Sequence, residues 1–339
     1  MTDIAADFSS NKYRIYGAEL SPYSVKVRSY LRFKQIPHQW IIRSAETMEE
    51  FAKYAVLPII PLVVSPQLKG AQDSTLVMEQ LEVLHPQDSI YPEDTTVNFV
   101  STLLEEFGDE WGNKWMFHYR WARDIDQLAS ARRIAQLTQP DAKGDELDAI
   151  TEQVRQRMTG RVWFVGSNPE TAPQIEASLH LALEQLEVHL ESRPYVLGSR
   201  PSFGDFSLWG QLYNVWTDPT NCALIEAKMP SVLAWIQRML WPRIEGDFES
   251  WESLKPTLKP FIKAQIGELF LPWSQANAEA IAQGKDEFSV QLNGHTWTQK
   301  PQKYHAKSLQ ALREKYAALN SHQETNELLQ KTGCLGALI

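Results

Sequence analysis

The stretch from Tyr13 to Pro37, YRIYGAELSPYSVKVRSYLRFKQIP, constrains this chain more than any other. A short apolar run (Tyr13, Ile15, Tyr16) ends at Gly17 as a strand would, and Ser21-Pro22 then stand where a helix begins. Serine is a favoured N-cap because its oxygen accepts from first-turn N–H groups. Proline suits the first helical position because its missing N–H would be unpaired there anyway. Tyr23, Val27, Tyr30 and Leu31 follow at helical spacing. Lys26, Arg28, Arg32 and Lys34 take the other face and the last turn, where cations suit the helix dipole, and Ile36-Pro37 stops the helix. A strand feeding a helix N-terminus is a device for holding an anion. A thiolate above Ser21 would be stabilised and its pKa drawn below about 8.5, the free-cysteine value. The turn holds no cysteine of its own, so the thiol would come from a ligand; the plainer alternative is that Ser21 only caps the helix.

Composition narrows the function classes. With 339 residues the chain is long enough for two or three domains. Its 42 acidic against 33 basic residues give a net charge of −9, and no basic run is interleaved with aromatics, so no nucleic-acid partner is expected. No apolar run reaches the roughly 18 residues of a membrane span. MTDIAADFSSNK is polar and lacks the apolar centre of a secretory signal. The cysteines are Cys222 and Cys334, far apart and without a CxxC pair, which argues against a disulfide framework and a thiolate metal site. A reducing cytoplasm is the expected compartment.

Along the chain, His38 to Ile42 reads as a second strand and Thr47 to Tyr54 as a short helix. Val56 to Val64 (VLPIIPLVV) has the apolar density of a buried strand, but two prolines cannot sit in a central ladder. Pro58 is therefore expected in the approach and Pro61 at the strand start. There a cis Ile60–Pro61 bond would turn the Ile60 backbone outward, while an ordinary trans bond is the simpler expectation. Pro66 to Gln72 reads as a turn-rich connection. Asp73-Ser74 then cap an apolar-periodic helix over Thr75 to Leu84.

This order of elements resembles the thioredoxin-like half of a cytosolic glutathione S-transferase. SPYSVKVRSYLRFKQIP is similar to the start of its serine-type classes, Ser-x-x-Ser-x-(Lys/Arg)-Val-Arg. The resemblance implies glutathione as co-substrate. It implies that Ser21 bonds the glutathione sulfur, that Ile60 and Pro61 present backbone to the cysteinyl unit, and that Asp73 and Ser74 bind the γ-glutamyl end. The sequence departs from the family before Ile60, where AVLPIIP lacks the usual glycine, so the holder of the glycyl carboxylate stays unassigned; Lys53 and Arg43 are candidates. Tyr16, near the end of the first strand, lies where tyrosine-type classes carry their hydroxyl, although a packed strand tyrosine is the plainer reading.

His85 to Asp94 (HPQDSIYPED) reads as a linker, and the chain beyond it is helical. Over Val97 to Asp126, Trp111, Trp115 and His118 recur on one helix face, which in the resembled family borders a second-substrate pocket; a core stripe is the commoner meaning of such spacing. Charged and apolar-periodic helices follow at Asp145–Met158 and Ala172–Leu190. Tyr195 to Trp216 resembles the family's buried-helix signature, with Ser202 and Asp205 as a capping box of structural role. Met229 to Met239 matches the helix that commonly follows it. Beyond residue 245 the chain exceeds the usual family length. There Leu258 to Ala282 reads as helix, FSVQLNGHTWTQ as a hairpin turning at Asn293-Gly294, and Lys303 to Leu319 as helix. The expected organisation is a tail (1–12), a thioredoxin-like α/β domain (13–86), an all-α domain (95–245) and a helix–hairpin–helix extension (246–339), with a homodimer as a family expectation. The expected activity is attack of the glutathione thiolate on an electrophilic aromatic or apolar small molecule. Thiolytic ether cleavage is included, because bacterial aryl-ether-cleaving relatives also carry a Ser-Pro-Tyr turn, as is dehalogenation. The alternative is a non-catalytic binding or adaptor protein of the metaxin-like kind.

Overall fold

A computed structural model describes residues 12–339, so the tail expected over 1–12 lies, apart from Lys12, outside the described residues. The first unit runs β1 (Tyr13–Gly17), α1 (Pro22–Phe33), β2 (His38–Ile42), α2 (Met48–Tyr54), β3 (Leu62–Val64), β4 (Gly70–Gln72) and α3 (Ser74–Leu84). Its sheet has the order β2-β1-β3-β4, with β1 parallel to β2 and antiparallel to β3, and β3 antiparallel to β4. This is a thioredoxin-like arrangement, and an all-helical assembly packs against it. The apolar faces of α1 and β1 (Val25, Val27, Tyr30, Leu31, Ile15) are buried.

Over 56–64 the strand begins at Leu62, directly after Pro61 as expected, and Val56, Leu57 and Ile59 are exposed in the approach that holds Pro58. Pro61 cannot donate to the ladder. Two expectations in this unit are corrected. The Ile60–Pro61 bond is cis, where a trans bond is the simpler expectation. The connection 66–72 is not turn alone, because Gly70–Gln72 adds a strand to β3. GAQ carries no β-branched residue and is recruited by its neighbour's open edge, not by propensity.

The helical assembly begins with α4 (Thr95–Phe107), a π-helical stretch (Gly108–Gly112) and α5 (Asn113–Ala122). The helix expected over 97–126 is thus continuous through the π stretch but ends at Arg123, whose backbone is extended. It continues with α6 (Asp124–Thr138), α7 (Gly144–Thr159), α8 (Ala172–Leu190), α9 (Phe203–Trp216), α10 (Pro219–Lys228) and α11 (Pro230–Arg238). α6 and α10 were not anticipated. The capping box at α9 is formed, and buried Asp205 accepts from Val196 N, Ser202 N, Ser202 Oγ and Trp235 Nε1 at 2.7–2.9 Å.

The extension comprises α12 (Trp251–Phe261), a π stretch (Ile262–Phe270), α13 (Leu271–Ala282), β5 (Phe288–Leu292), β6 (His295–Gln299), α14 (Lys303–Ala317), α15 (Gln323–Thr332) and α16 (Leu335–Leu338). Asn293 and Gly294 take the positive φ angles, 50° and 79°, that the hairpin turn needs. One hydrophobic core runs from Ile15 to Leu338, so the extension is packed into the molecule and not appended to it. Among the described residues no helix is long and apolar enough to cross a membrane.

Candidate functional site

The strand register gathers the sequence-predicted residues at one end of the sheet. Tyr16 pairs with Leu62, and Leu62 with Gln72. The segments leaving those three positions (Gly17 towards Ser21, Pro61 back to Ile60, and Gln72 on to Asp73-Ser74) therefore emerge together.

Ser21 caps α1, and the cap has a chemical consequence. Its Oγ accepts from Ser24 Oγ at 2.9 Å and from Ser24 N at 3.3 Å. Ser24 is fully buried while Ser21 is half-buried, so the hydroxyl that receives two donors still has its own proton to give on the open side. The turn that carries it is held from the helical assembly. Arg120 of α5 donates to Leu20 O at 2.8 Å, with its other nitrogens on Asp218 and Asn214. Glu19 takes both terminal nitrogens of Arg28 at 2.7 Å and the Tyr213 hydroxyl at 2.6 Å, which holds its carboxyl below the usual range. Gly17 is required here because a Cβ would stand 2.8 Å from the Trp40 ring and 2.9 Å from Ser24 Cβ. Gly210 on α9 is required likewise, because its Cβ would lie 2.7 Å from Pro22 O.

Asp73 caps α3 from a positive φ of 76°. Its Oδ1 accepts from Thr75 N at 3.1 Å and Leu76 N at 3.4 Å, while its Oδ2 meets the Tyr304 hydroxyl at 3.3 Å. Burial, with Asp109 nearby, pushes the Asp73 carboxyl up. Ser74, the first residue of α3, is buried, and its hydroxyl faces Asp109 Oδ2 at 3.4 Å. Gln72 organises the loop before Ile60. Its Oε1 accepts from Val56 N and Leu57 N at 2.9 Å, and its Nε2 donates to Leu57 O and Ile59 O at 2.8 Å. One side chain thus satisfies four backbone groups and pins the loop before Ile60 to the Asp73 end of β4.

Beneath both helix starts lies a buried ion cluster. Lys26 Nζ reaches Glu105 Oε1 at 2.6 Å and Asp109 Oδ2 at 2.7 Å, with all three side chains nearly inaccessible. Thr75 Oγ1 donates to Glu105 at 2.5 Å and Ser207 Oγ to Asp109 Oδ1 at 2.6 Å. The two carboxylates hold the lysine well above its usual range despite burial. α1, α3, α4 and α9 all meet at this cluster.

The residues expected to line a substrate pocket lie elsewhere. Trp111 and Trp115 are 1% and 0% exposed, and both indole N–H groups donate to Ser178 Oγ, at 2.9 and 3.0 Å. The extension covers this face. Trp273 and Trp297 have ring centroids 5.8 and 5.4 Å from Trp111, and the same three indoles surround Lys114 Nζ at 3.7–5.5 Å. His118 is buried between Ser167 Oγ (2.8 Å to Nδ1) and Glu176 Oε1 (3.1 Å to Nε2). Arg123 and His118 hold Glu176 ionised and burial keeps His118 neutral, so Nε2 donates to Glu176 and the Ser167 hydroxyl donates to Nδ1. The backbone N–H groups of Gly166, Ser167 and Asn168 are all bonded within their own loop and leave no donor pair for an oxyanion, so the relay fixes His118 in place. Tyr16 is buried edge-on against Phe51 at 5.9 Å, the packed strand tyrosine of the plainer reading. Lys53 is engaged by Glu50 at 3.1 Å, and Arg43 lies 4.8 Å over the Phe51 ring. Among the described residues no group of three His, Cys, Asp or Glu side chains is placed to hold a metal ion. A cavity of about 550 Å³ bordered by Asp88, Tyr91, Arg200 and Phe248 lies at the linker, outside this site.

A thioredoxin-like sheet with a serine-capped first helix, a cis proline before β3 and an acidic cap on α3, with an attached helical domain, defines the two-domain glutathione S-transferase fold. The family comparison agrees: residues 15–89 match the glutathione S-transferase N-terminal domain and residues 148–238 its C-terminal domain. The chain belongs to the glutathione S-transferase superfamily, a family of glutathione-dependent transferases and lyases. Similar solved structures include the β-etherase LigF from Sphingobium sp. strain SYK-6 (18% identity over 67% of this chain and 94% of that one, TM-score 0.49). They also include a Methylobacterium radiotolerans glutathione S-transferase in complex with glutathione sulfonate (15%, 70% and 99%, TM-score 0.41) and the Tau-class enzyme of mango (16%, 74% and 98%, TM-score 0.39). No curated protein matches the sequence.

Proposed function

We propose that the chain is a glutathione-dependent transferase or lyase whose thiolate is held by Ser21. The observation that carries this reading is the Ser24-to-Ser21 hydrogen bond, which orients the Ser21 proton outward at a helix N-terminus. The γ-glutamyl end lies against Asp73 and Ser74, and the cysteinyl unit pairs with the Ile60 backbone beside Pro61. The Ser21 hydroxyl and the α1 dipole favour the thiolate over the thiol, whose proton leaves to solvent. The thiolate sulfur then forms a bond to an electrophilic carbon while the bond to the leaving group breaks, the leaving group departing with the electron pair. Aryl-ether cleavage and dehalogenation both fit that balance. Leu57, Ile59 and Leu76 are exposed on segments bonded to Gln72 and Asp73, and they supply the apolar rim that such a substrate meets. The test is calorimetric titration of wild type and Ser21→Ala with glutathione, together with the ultraviolet thiolate absorbance against pH. Both proteins should bind, and only the wild type should show a depressed thiol pKa. Absence of binding at several millimolar refutes the proposal.

One observation favours a second reading, binding without turnover. The Trp111 face that would border a substrate pocket is closed by Trp273 and Trp297 of the extension. Glutathione binding with a normal thiol pKa and no turnover of activated aryl halides or aryl ethers would decide for it.

A further inference from the structure

The extension meets the candidate site through α14. α14 is tied down along its length: His305 pairs with Glu110, Ser308 bonds Glu106, and Lys315 pairs with Glu79 of α3 at 2.7 Å. The edge of the His305 ring also meets Trp273, with centroids 4.8 Å apart. These contacts fix the first turn of α14 beside the start of α3, where Tyr304 points its hydroxyl at Asp73 Oδ2. The Tyr304 side chain is 56% exposed, so it stands at the rim and is not a core residue. A carboxylate oxygen has two lone pairs. The backbone N–H groups of Thr75 and Leu76 take Oδ1, and Tyr304 takes one lone pair of Oδ2, which leaves Oδ2 capacity for one further donor. At 3.3 Å this bond is longer than the usual hydroxyl bond of about 2.7–2.8 Å, as suits an oxygen shared with a second partner.

We propose that Tyr304, delivered by the C-terminal extension, is a positioning residue of the Asp73–Ser74 subsite that holds the Asp73 carboxylate for the α-ammonium of a γ-glutamyl ligand. This rests on the glutathione reading above. The surroundings suit a cation. Asp73 and Asp109 face the spot with Glu110 behind, Lys26 is committed to Glu105 and Asp109, and His305 is committed to Glu110. Tyr23 of α1 donates its own hydroxyl to Asp109 O at 3.0 Å. The ring stands half in solvent, but desolvation at its hydroxyl end and the carboxylates Glu110, Asp73 and Asp109 push the Tyr304 phenol up, so it remains a donor. A donor on Oδ2 favours the ionised form of Asp73 against the burial that opposes it.

The experiment compares the full chain and Tyr304→Phe by calorimetry with glutathione and with its desamino analogue, glutaryl-cysteinylglycine, from pH 4 to 7.5. The expected result is a loss of about five- to tenfold in glutathione affinity at neutral pH, less than twofold for the analogue, and an acidic limb of the binding profile moved to higher pH. An equal loss for both ligands would make Tyr304 a structural residue and overturn the proposal, as would unchanged binding of both. Wild-type protein that binds neither ligand refutes the glutathione reading itself, and wild type that binds both equally well removes Asp73 from ammonium recognition.

Discussion

Replacing Lys26 by methionine tests how the site is held. Methionine keeps the length and apolar stem of lysine, so packing changes little, but Glu105 and Asp109 are left buried without their cation. Removing one partner of a buried ion pair costs about 3–5 kcal/mol. Here one ammonium serves two carboxylates, which places the loss towards the upper end. At about 2 °C per kcal/mol for a chain of this size, the unfolding midpoint should fall by about 6–10 °C. The pH dependence has a definite sign. Burial already pushes the Glu105 carboxyl up, and losing Lys26 raises it further. A carboxyl that binds its proton more tightly folded than unfolded loses stability as pH climbs from the unfolded value, about 4.3, through the folded one. The deficit of the variant should therefore be largest near pH 7.5 and shrink towards pH 5. Denaturant unfolding at both pH values measures it. Adding Glu105→Gln and Asp109→Asn to Lys26→Met should recover most of the loss, because Thr75 and Ser207 still find oxygen acceptors. A single-variant cost under about 1 kcal/mol, against the about 3–5 expected of a buried pair, or a triple variant no more stable than the single, would refute the reasoning.

Asp205→Asn should destabilise by at least about 3 kcal/mol, because four donors converge on the carboxylate and an amide nitrogen would face donors; thermal unfolding reports it. Gln72→Leu should free the loop 55–60, seen as faster proteolytic cleavage there and weaker glutathione binding with little change in global stability. Burial pushes the Lys114 ammonium down to about 7, below its unfolded value of about 10.4. The folded state holds fewer protons between those values, so wild-type stability should gain a rising component from about pH 7 to 10 that Lys114→Met abolishes in urea titrations. Arg120→Ala should release the Leu20 carbonyl and lower glutathione affinity more than it lowers affinity in a variant already lacking the Ser21 hydroxyl, as calorimetry of the double variant would show.

What was legible in the sequence is what local chemistry dictates. Ser21-Pro22 and Asp73 declare helix starts because capping needs only neighbours in the chain, and the Asn293-Gly294 turn declares a hairpin for the same reason. What was not legible depends on partners far along the chain. Gln72 holds a loop some fifteen residues away, and Arg120 grips a carbonyl a hundred residues before it, with no periodicity to mark either. The Trp111, Trp115, His118 stripe was visible as a helix face, but what it faces is settled by Trp273 and Trp297, more than 150 residues later. One signal was available. EEFGDE places four carboxylates inside an otherwise apolar helix, and carboxylates there must find cations, donors or protons. Lys26, Ser207, Ser308, His305 and Lys315 are those partners, drawn from α1, α9 and α14.

That acidic turn also explains how a long extension bears on a distant site. Glu105 and Asp109 bind the helices that carry Ser21 and Asp73, while Glu106 and Glu110, on the adjoining face of the same turn, bind α14. Burial and the neighbouring Glu105 push the Glu106 carboxyl up. An extension merely resting on the helical domain would leave those two acids uncompensated or exposed. Here it compensates them, and in doing so it sets Tyr304 beside Asp73.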